Sequence, residues 1–216
     1  MKKKEYTPAL GFDWLSGWYD LTIKLTMPER KFRHRLMDLL NPGDGEDILE
    51  FGFGSGANLL IAAARFPGSH FVGLDIDPKI REVAERRLSR SQLDIRLELY
   101  DGYTFPFSAN SFDKVYSCLV FHHLDRQTKI DCLKEIHRVM RPGGKLLIGD
   151  WGKAKSRTMR IAFYIVQLLD GFKTTNDNVN GLLPNYLEKA GFTYAGETGF
   201  INTKIGSFCY YEGSKP

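Results

Sequence analysis

From Asp47 onward, the spacing of apolar residues along the chain switches repeatedly between the period of a strand and that of a helix. Short runs rich in β-branched and aromatic residues predict seven strands, at Asp47–Phe51, His70–Leu74, Ile95–Tyr100, Phe112–Val120, Lys145–Asp150, Phe192–Phe200 and Lys204–Tyr211. Between them, helical spacing of apolar residues predicts helices at Ala57–Phe66, from Asp77-Pro78 onward, at Lys129–Met140 and at Leu182–Ala190. Strands that alternate with helices predict an α/β fold, with a doubly wound and mostly parallel sheet covered by helices on both faces.

Two turns refine this picture. Only Ile201-Asn202-Thr203 separates the last two strands, which is too short for a crossover, so they are predicted to pair antiparallel as a C-terminal hairpin. Arg141-Pro142-Gly143-Gly144 is predicted to end the preceding helix before the fifth strand begins.

Composition narrows the class of protein. The chain has 216 residues, 43% of them hydrophobic, and a net charge of +4, which suits a folded domain and argues against a disordered or nucleic-acid-binding chain. Three cysteines, Cys118, Cys132 and Cys209, are odd in number and show no metal-binding spacing, so we expect neither a disulfide framework nor a metal site. Lys2-Lys3-Lys4 is not followed by an apolar run, so we expect no signal peptide and a cytoplasmic location.

The segment Glu50-Phe51-Gly52-Phe53-Gly54-Ser55-Gly56 lies between a predicted strand and a predicted helix. Glycines at this place allow a tight turn and let a ligand approach backbone N–H groups at a helix N-terminus, although a purely structural turn is the alternative. Asp75 ends the second strand, where a carboxylate can accept both hydroxyls of a ribose. Asp101-Gly102 ends the third strand, with a simple β-turn as the alternative.

Taken together, these motifs resemble those of the class I S-adenosylmethionine-dependent methyltransferases, and most of all the ubiquinone/menaquinone C-methyltransferase-like branch. The likeness runs from about residue 41 to residue 150. Its motifs are Glu50-x-Gly52-x-Gly54-x-Gly56, Gly73-Leu74-Asp75-Ile76-Asp77-Pro78, Tyr100-Asp101-Gly102, Ser111-Phe112-Asp113, Phe121-His122-His123-Leu124, the segment from Arg138 to Gly144, and the pair Tyr19-Asp20. The resemblance implies a Rossmann-like, seven-stranded sheet and a methyl-transfer activity.

The resemblance also implies a set of cofactor contacts for S-adenosyl-L-methionine and its product S-adenosyl-L-homocysteine. Gly52, Gly54 and Gly56 would lie against the methionine part, Asp75 would bind the ribose, and Asp101 with Gly102 would meet the adenine. Further candidate contacts are Tyr19, Glu50, Phe53, Ile76, Cys118 and Leu119, although Cys118 also suits a core position. Phe51 and Phe53 replace smaller residues of the family pattern and are expected to make the pocket wall aromatic.

Two histidines follow the fourth strand at the same edge of the sheet. His123, and with less support His122, could remove a proton from a methyl acceptor, whereas the alternative is packing against the cofactor or backbone. Asp150-Trp151 ends the fifth strand and is a second candidate pair for the acceptor side. Methyl transfer is an in-line displacement, so the protein mainly has to hold donor and acceptor in line.

Regions outside the shared motifs are expected to select the acceptor. We predict a cap formed by residues 1–40, with an aromatic segment at Phe12–Asp20, ahead of a methyltransferase domain at 41–216. An insertion at about 152–183, centred on Arg157–Asp177, is predicted to cover the active site and form an apolar pocket. The expected acceptor is a small, apolar or lipid-like molecule, with peripheral membrane contact possible and no nucleic acid.

Other interpretations stay open at this point. A nicotinamide-dependent oxidoreductase would share the glycine loop, and a non-catalytic S-adenosylmethionine-binding partner protein would share the whole cofactor site. The basic run Arg30–Arg35 is interpreted as a solvated helix face, with an anionic headgroup or acceptor as the alternative.

Overall fold

The computed structural model describes residues 28–216, apart from the side chains at 169 and 170. Its strands are β1 (Asp47–Phe51), β2 (His70–Asp75), β3 (Arg96–Leu99), β4 (Phe112–Cys118), β5 (Met140–Trp151), β6 (Thr193–Asn202) and β7 (Ser207–Ser214). Its α-helices are α1 (Glu29–Leu40), α2 (Ala57–Arg65), α3 (Pro78–Ser89), α4 (Arg126–Val139), α5 (Arg157–Asp170), α6 (Phe172–Val179) and α7 (Leu183–Lys189). The predicted contact of Tyr19, the Tyr19-Asp20 pair and the aromatic segment Phe12–Asp20 lie outside the described residues.

The seven strands form one sheet in the order β3-β2-β1-β4-β5-β7-β6. The pairs from β3 to β5 are parallel, and β7 runs antiparallel to both of its neighbours. This confirms the predicted doubly wound sheet and its C-terminal hairpin. The hairpin adds to the β5 edge through β7, so that β6 becomes the edge strand. A parallel sheet needs helices on both faces, and the two apolar clusters of the core lie on its two sides.

Capping residues set where several helices begin. The Asp77 side chain accepts a hydrogen bond from the backbone N–H of Lys79, and Pro78 occupies the first position of α3, as the sequence predicted. Asp125 caps α4 in the same manner through the N–H of Thr128, which places the start of this helix earlier than the apolar pattern indicated. The polar first turn of α4 hid its beginning from a reading based on apolar spacing.

The segment at Arg141–Gly144 departs from its predicted role. Helix α4 ends at Val139 and the chain enters β5 at once, so this segment belongs to a strand and does not form a separate loop. The guanidinium of Arg141 bridges Asp113 on β4, at 2.5 Å, and Asp47 on β1, at 2.8 Å. A Cβ on Gly144 would lie 2.7 Å from the carbonyl oxygen of Asp113, so the close approach of two backbones requires glycine here.

Helix α1 packs directly on the sheet. Phe32, Leu36, Met37 and Leu40 form its buried face, and the Phe32 ring stacks on Phe208 of β7 with 4.5 Å between centroids. The hydroxyl of Tyr210 donates a hydrogen bond to the Phe32 carbonyl oxygen at 2.9 Å. Residues 29–40, at the end of the predicted cap, therefore share a core with the methyltransferase domain.

We expect Phe32→Ala to lower the free energy of unfolding by about 3–5 kcal/mol, because it removes a fully buried ring and leaves a cavity against Phe208. Urea denaturation followed by circular dichroism measures this change. Lys31→Ala, on the exposed face of the same helix, is the matched control and should change stability by less than about 0.5 kcal/mol. Equal effects of the two substitutions would show that α1 is not anchored through Phe32.

Candidate active site

The carboxyl ends of β1, β2, β3, β4 and β5 meet at one edge of the sheet, because all five strands are parallel. The strand order turns around at β1 and β4, and such a switch point is where open α/β sheets bind ligands. The glycine loop leaves β1 at this edge and Asp75 ends β2 there. The histidine pair follows β4, and Asp150 lies near the end of β5. The fold therefore gathers most of the predicted site residues at a single edge.

Each glycine of the loop has a backbone conformation that disfavours other residues. The φ angles of Gly52, Gly54 and Gly56 are +75°, +50° and +74°. A Cβ on Gly52 would lie 2.3 Å from a methyl carbon of Val120, and one on Gly56 would lie 3.3 Å from the Cβ of Ala84. A Cβ on Gly54 would meet no atom of residues 28–216 within 4 Å, so the middle of the loop faces open space within this part of the chain. That space is where a ligand could approach the backbone.

Asp75 ties this loop to the end of β2. Its carboxylate accepts hydrogen bonds from the backbone N–H of Gly54 at 2.9 Å, of Ile76 at 2.7 Å and of Asp77 at 3.2 Å. Burial raises the pKa of Asp75, and the backbone donors partly offset that shift. A carboxylate has room for about four donors, so a further hydroxyl can bind the same group.

Glu50 lies beneath the loop and is completely buried. Its two carboxyl oxygens meet the amide of Asn58 at 2.8 Å and the hydroxyl of Tyr116 at 3.0 Å. The Asn58 oxygen in turn accepts a hydrogen bond from the guanidinium of Arg33 on α1, at 2.5 Å. Burial raises the pKa of Glu50 to about 8 despite these partners. Glu50 is therefore mostly protonated at neutral pH in the structure described here.

The interpretation of the basic run on α1 needs correction at Arg33. Lys31 and Arg35 are exposed, as predicted, and line an open cleft of about 760 Å³ between α1 and β6. Arg33 instead points inward to the Asn58–Glu50 pair. Sequence reasoning missed Arg33, Asn58 and Tyr116 as partners of Glu50, since they come from three elements and form no local motif.

Asp101 and Gly102 follow β3, and the Asp101 side chain is exposed. Its carboxylate accepts hydrogen bonds from the backbone N–H groups of Tyr103 and Thr104, both at 2.9 Å, and these bonds lower its pKa. This is the turn that the sequence analysis gave as the alternative interpretation. Gly102 has a φ of +89°, and a Cβ there would lie 3.2 Å from a methyl carbon of Ile76. Ile76 and Gly102 therefore lie together beside Asp75.

The prediction of an aromatic pocket wall is wrong for Phe51 and Phe53. Both rings are buried in the core, on opposite faces of the sheet. Phe51 packs on Phe105 with 5.3 Å between ring centroids. The Phe53 ring packs on Gly73, where an added Cβ would lie 2.8 Å from a ring carbon of Phe53. These large rings fit because Gly73 leaves space for one of them. The backbone of Phe53 still belongs to the loop, because its carbonyl oxygen accepts a hydrogen bond from the N–H of Gly56.

Cys118 ends β4 next to this loop, and Leu119 follows it. Cys118 is buried in the core, and burial raises the pKa of its thiol to about 12, so it is a poor nucleophile at neutral pH. Leu119 has a φ of +59° and donates its N–H to the carbonyl oxygen of Gly149 at 2.8 Å. This left-handed residue turns the chain out of the sheet and toward His122 and His123.

His122 forms a buried pair with Asp150. Its Nδ1 lies 2.6 Å from Asp150 Oδ1, and its backbone N–H donates to Asp150 Oδ2 at 3.2 Å. Burial alone would raise the pKa of Asp150, but the neighbouring His122 outweighs that effect and holds the pKa below its usual range. An ionised carboxylate accepts the Nδ1 proton and leaves Nε2 as the basic nitrogen of the ring.

His123 has a different environment from its neighbour. Its ring lies against that of His122, with 3.8 Å between centroids, and is half-buried. Burial and the adjacent His122 lower the pKa of His123 to about 3. His123 is therefore neutral at physiological pH, and of the two rings it is that of His122 which Asp150 orients.

The predicted insertion packs at this edge, and its buried side chains are of mixed character. The α5 side chain Phe163 packs edge-on against Trp151, with 5.3 Å between centroids. From α6, which follows it, the buried side chains are largely polar: Asp177 pairs with Arg126 at 2.8 Å, and the Asn178 amide donates to the Trp151 carbonyl oxygen at 3.1 Å. The buried side chains of α5 are thus mainly apolar, apart from Gln167, and those of α6 are largely polar.

Comparisons with known proteins agree with this arrangement. Residues 48–144 match the family described as "Methyltransferase domain". The chain is 32% identical to the demethylmenaquinone methyltransferase of Symbiobacterium thermophilum, over 99% of this chain and 94% of that protein. It is 30% identical to the demethylmenaquinone methyltransferase of Thermus thermophilus over 63% of this chain, and spans only 62% of that relative's length.

A solved structure shows the same fold. Haemonchus contortus phosphoethanolamine N-methyltransferase 2, in complex with phosphomonomethylethanolamine and S-adenosylhomocysteine, superposes with a TM-score of 0.69 at 18% identity, covering 86% of this chain and 53% of that one. The chain belongs to the class I S-adenosylmethionine-dependent methyltransferases, in the ubiquinone/menaquinone C-methyltransferase-like branch. This membership does not favour a nicotinamide-dependent oxidoreductase.

The residues present fit the family's cofactor, S-adenosylmethionine, which supplies an activated methyl group. The open side of Gly54 leaves room for a ligand against the loop backbone, and Asp75 retains capacity for a hydroxyl. Gly102 and Ile76 border the same carboxylate. Within residues 28–216, no group of three or more His, Cys, Asp or Glu side chains could hold a metal ion.

We expect Gly54→Ala to weaken S-adenosylhomocysteine binding by more than about tenfold, because a methyl group would occupy the open side of the loop at a positive φ. Isothermal titration calorimetry measures the affinity. Gly45→Ala is the matched control, since Gly45 has a φ of +77°, also faces open space and precedes β1 at the opposite edge of the sheet. If both variants bind like the wild type, the cofactor does not approach the loop at Gly54.

We expect Glu50→Gln to remove a pH dependence of stability. The folded pKa of about 8 lies above the unfolded value of 4.5, so the folded protein holds a proton that the unfolded chain releases between these pH values, and stability falls as the pH rises through that window. Glutamine resembles the protonated acid and can keep hydrogen bonds to Asn58 and Tyr116. Relative to the wild type, the variant should gain about 3 kcal/mol between pH 5.5 and 8.

Urea denaturation of both proteins at these two pH values measures the difference in their free energies of unfolding. The contributions of all other titrating groups cancel, because the two chains share those groups. Parallel pH profiles for the two proteins would mean that Glu50 is ionised in the folded state.

Proposed function

We propose that this protein transfers the methyl group of S-adenosylmethionine to an apolar, lipid-like acceptor that must lose a proton, with His122 as the general base. The observation that carries the proposal is the buried His122–Asp150 pair at the ends of β4 and β5, beside the glycine loop at the end of β1. A base held at the same edge as the methyl donor suits an acceptor such as a phenol, an enol or an acidic ring carbon.

Beyond removing a proton, the protein mainly has to position the cofactor and the acceptor. The loop at Gly52–Gly56 and the Asp75 carboxylate would hold the cofactor, and the acceptor would lie toward β5 under α5 and α6. Asp150 orients the His122 ring and stabilises the positive charge that the ring gains when it takes a proton. Because both groups are shielded from water, this electrostatic support is stronger than it would be at the surface.

The acceptor class has separate support. The two relatives named above are demethylmenaquinone methyltransferases, and the buried Trp151–Phe163 pair makes the packing next to Asp150 apolar. We therefore propose a quinol-type ring with an apolar tail as the acceptor. A cytoplasmic location is proposed alongside it, since all three cysteines are buried thiols outside any disulfide.

A methyl-transfer assay with labelled S-adenosylmethionine tests the proposal. The acceptors are a short-chain demethylmenaquinol, kept reduced, and phosphoethanolamine as a polar comparison. We expect label in the quinol and none in phosphoethanolamine. Label in phosphoethanolamine alone would overturn the acceptor class, and S-adenosylhomocysteine binding without label in any acceptor of a metabolite extract would support a non-catalytic partner protein.

With the accepted substrate, His122→Asn and Asp150→Asn should each lower kcat by about 10²–10⁴-fold, because the base or its orienting partner is lost. His123→Gln is the matched control and should lower kcat less than tenfold. Calorimetry should show nearly unchanged cofactor affinity in all three variants. A severe loss with His123→Gln and near-normal turnover with His122→Asn would return the role of base to His123.

A further inference from the structure

Helix α5 carries a stripe of exposed apolar side chains, which we call the α5 stripe. Ile161, Tyr164, Ile165 and Leu168 share one face of α5 by their helical spacing. The fifth member is Phe172, the first residue of α6 after Gly171, whose ring lies 6.3 Å from that of Tyr164 between centroids. Ile161 is 67% exposed and Leu168 is 73% exposed. Of the nine large apolar side chains that are exposed within residues 28–216, five belong to this stripe. Such clustering marks an interaction surface, whereas singly exposed apolar residues need no explanation.

The stripe is distinct from the face that holds α5 on the protein. Phe163, Val166 and Gln167 form that opposite face, and all three are buried. Phe163 packs on Trp151, and Gln167 accepts a hydrogen bond from Arg160 and donates one to Thr175. The helix is therefore anchored by its buried face, and nothing in residues 28–216 covers the stripe.

Positive charge surrounds the stripe. Between residues 151 and 175 there are five basic residues and one acidic residue, a net charge of +4 that equals the net charge of the whole chain. Lys153 and Arg157 are exposed at the start of α5, and Lys173 is exposed at its far end. The guanidinium of Arg160 lies over the Tyr164 ring, 4.3 Å from its centroid. Aromatic rings and long basic side chains beside an aliphatic stripe suit the boundary between lipid headgroups and acyl chains.

We propose that the α5 stripe docks the protein on the surface of a bilayer that contains anionic lipids. The helix has 14 residues, so it is about 21 Å long and too short for a hydrocarbon core of about 30 Å. No helix within residues 28–216 has the length and apolar character to cross a bilayer. The geometry thus favours a helix that lies in the plane of the interface.

Charge argues against a second copy of the chain as the occupant. In a two-fold symmetric contact, the stripes of two copies would face each other and bring their basic ends together. Asp170 is the single acidic residue between 151 and 175, so it cannot neutralise both sets of cations. An anionic lipid surface, by contrast, can pair with the exposed Lys153, Arg157 and Lys173, whereas Lys155 already pairs with Glu197.

Docking in this orientation would bring the candidate active site to the lipid surface. The buried face of α5 lies on Trp151, which directly follows Asp150 of the histidine pair. An acceptor with an apolar tail could then move from the bilayer to the site under α5, a consequence that rests on the proposed function. Vesicle binding itself needs no methyl transfer, so its test is independent of the acceptor.

Co-sedimentation of the full chain with vesicles tests the proposal. We expect binding to vesicles of phosphatidylcholine with phosphatidylglycerol, weaker binding to phosphatidylcholine alone, and a loss of binding as salt rises. Ile161→Ser combined with Leu168→Ser should weaken binding at least about tenfold, because two aliphatic side chains no longer leave water. Tyr194→Ser is the matched control, since Tyr194 is 89% exposed outside the stripe.

Failure to bind the mixed vesicles, or equal binding by the double variant, would overturn the proposal. Sedimentation velocity tests whether a second copy of the chain binds the stripe instead. A wild-type dimer that the double variant no longer forms would assign the stripe to a contact between copies and would also overturn membrane docking.

A fluorophore on Leu168→Cys gives a second readout, because the three native cysteines are buried and should not react. We expect its emission to shift to the blue only when vesicles are added. A blue-shifted emission of the monomer before that addition would show that the chain itself covers the stripe, which would overturn membrane docking.

Discussion

The hydrogen bond from the Gly54 backbone to the Asp75 carboxylate is the contact on which the site depends. It joins the loop after β1 to the end of β2, and Gly52 adds a second link by donating its N–H to the carbonyl oxygen of Leu74 at 2.7 Å. Three glycines with positive φ make this path possible, and only Gly54 of the three leaves open space beside it. Hydrogen bonds to the end of β2 therefore fix the loop, while the open side of Gly54 can receive a ligand.

Two buried acidic side chains near this loop offset the free-energy cost of burying a carboxylate in opposite ways. Glu50 has neutral partners in Asn58 and Tyr116, and burial raises its pKa until the proton is retained. Asp150 accepts hydrogen bonds from His122 and two backbone donors, which stabilise its negative charge, so it stays ionised. The first arrangement supports the cofactor loop. The second supplies the electrostatics that a base would need.

The elements that sequence reasoning located well are those with a strong local pattern. Parallel strands buried on both faces are continuous apolar runs, and the Asp77-Pro78 start of α3 is a local signal, so both agree with the structure. The start of α4 and the placement of Arg141–Gly144 in β5 differ, because they depend on a cap and on ion pairs to Asp47 and Asp113. Such partners are distant along the chain and leave no local trace.

By itself, the sequence determined the alternation of strands and helices, the hairpin after α7, and the convergence of the glycine loop and Asp75 at one sheet edge. Chain connectivity and the period of apolar residues are enough for these. Only the tertiary structure decided that Phe51 and Phe53 turn into the core, that Arg33 reaches Asn58, and that His122 has Asp150 as its partner. Side-chain direction and proton affinity depend on the groups that folding places around a residue, and those groups come from far along the chain.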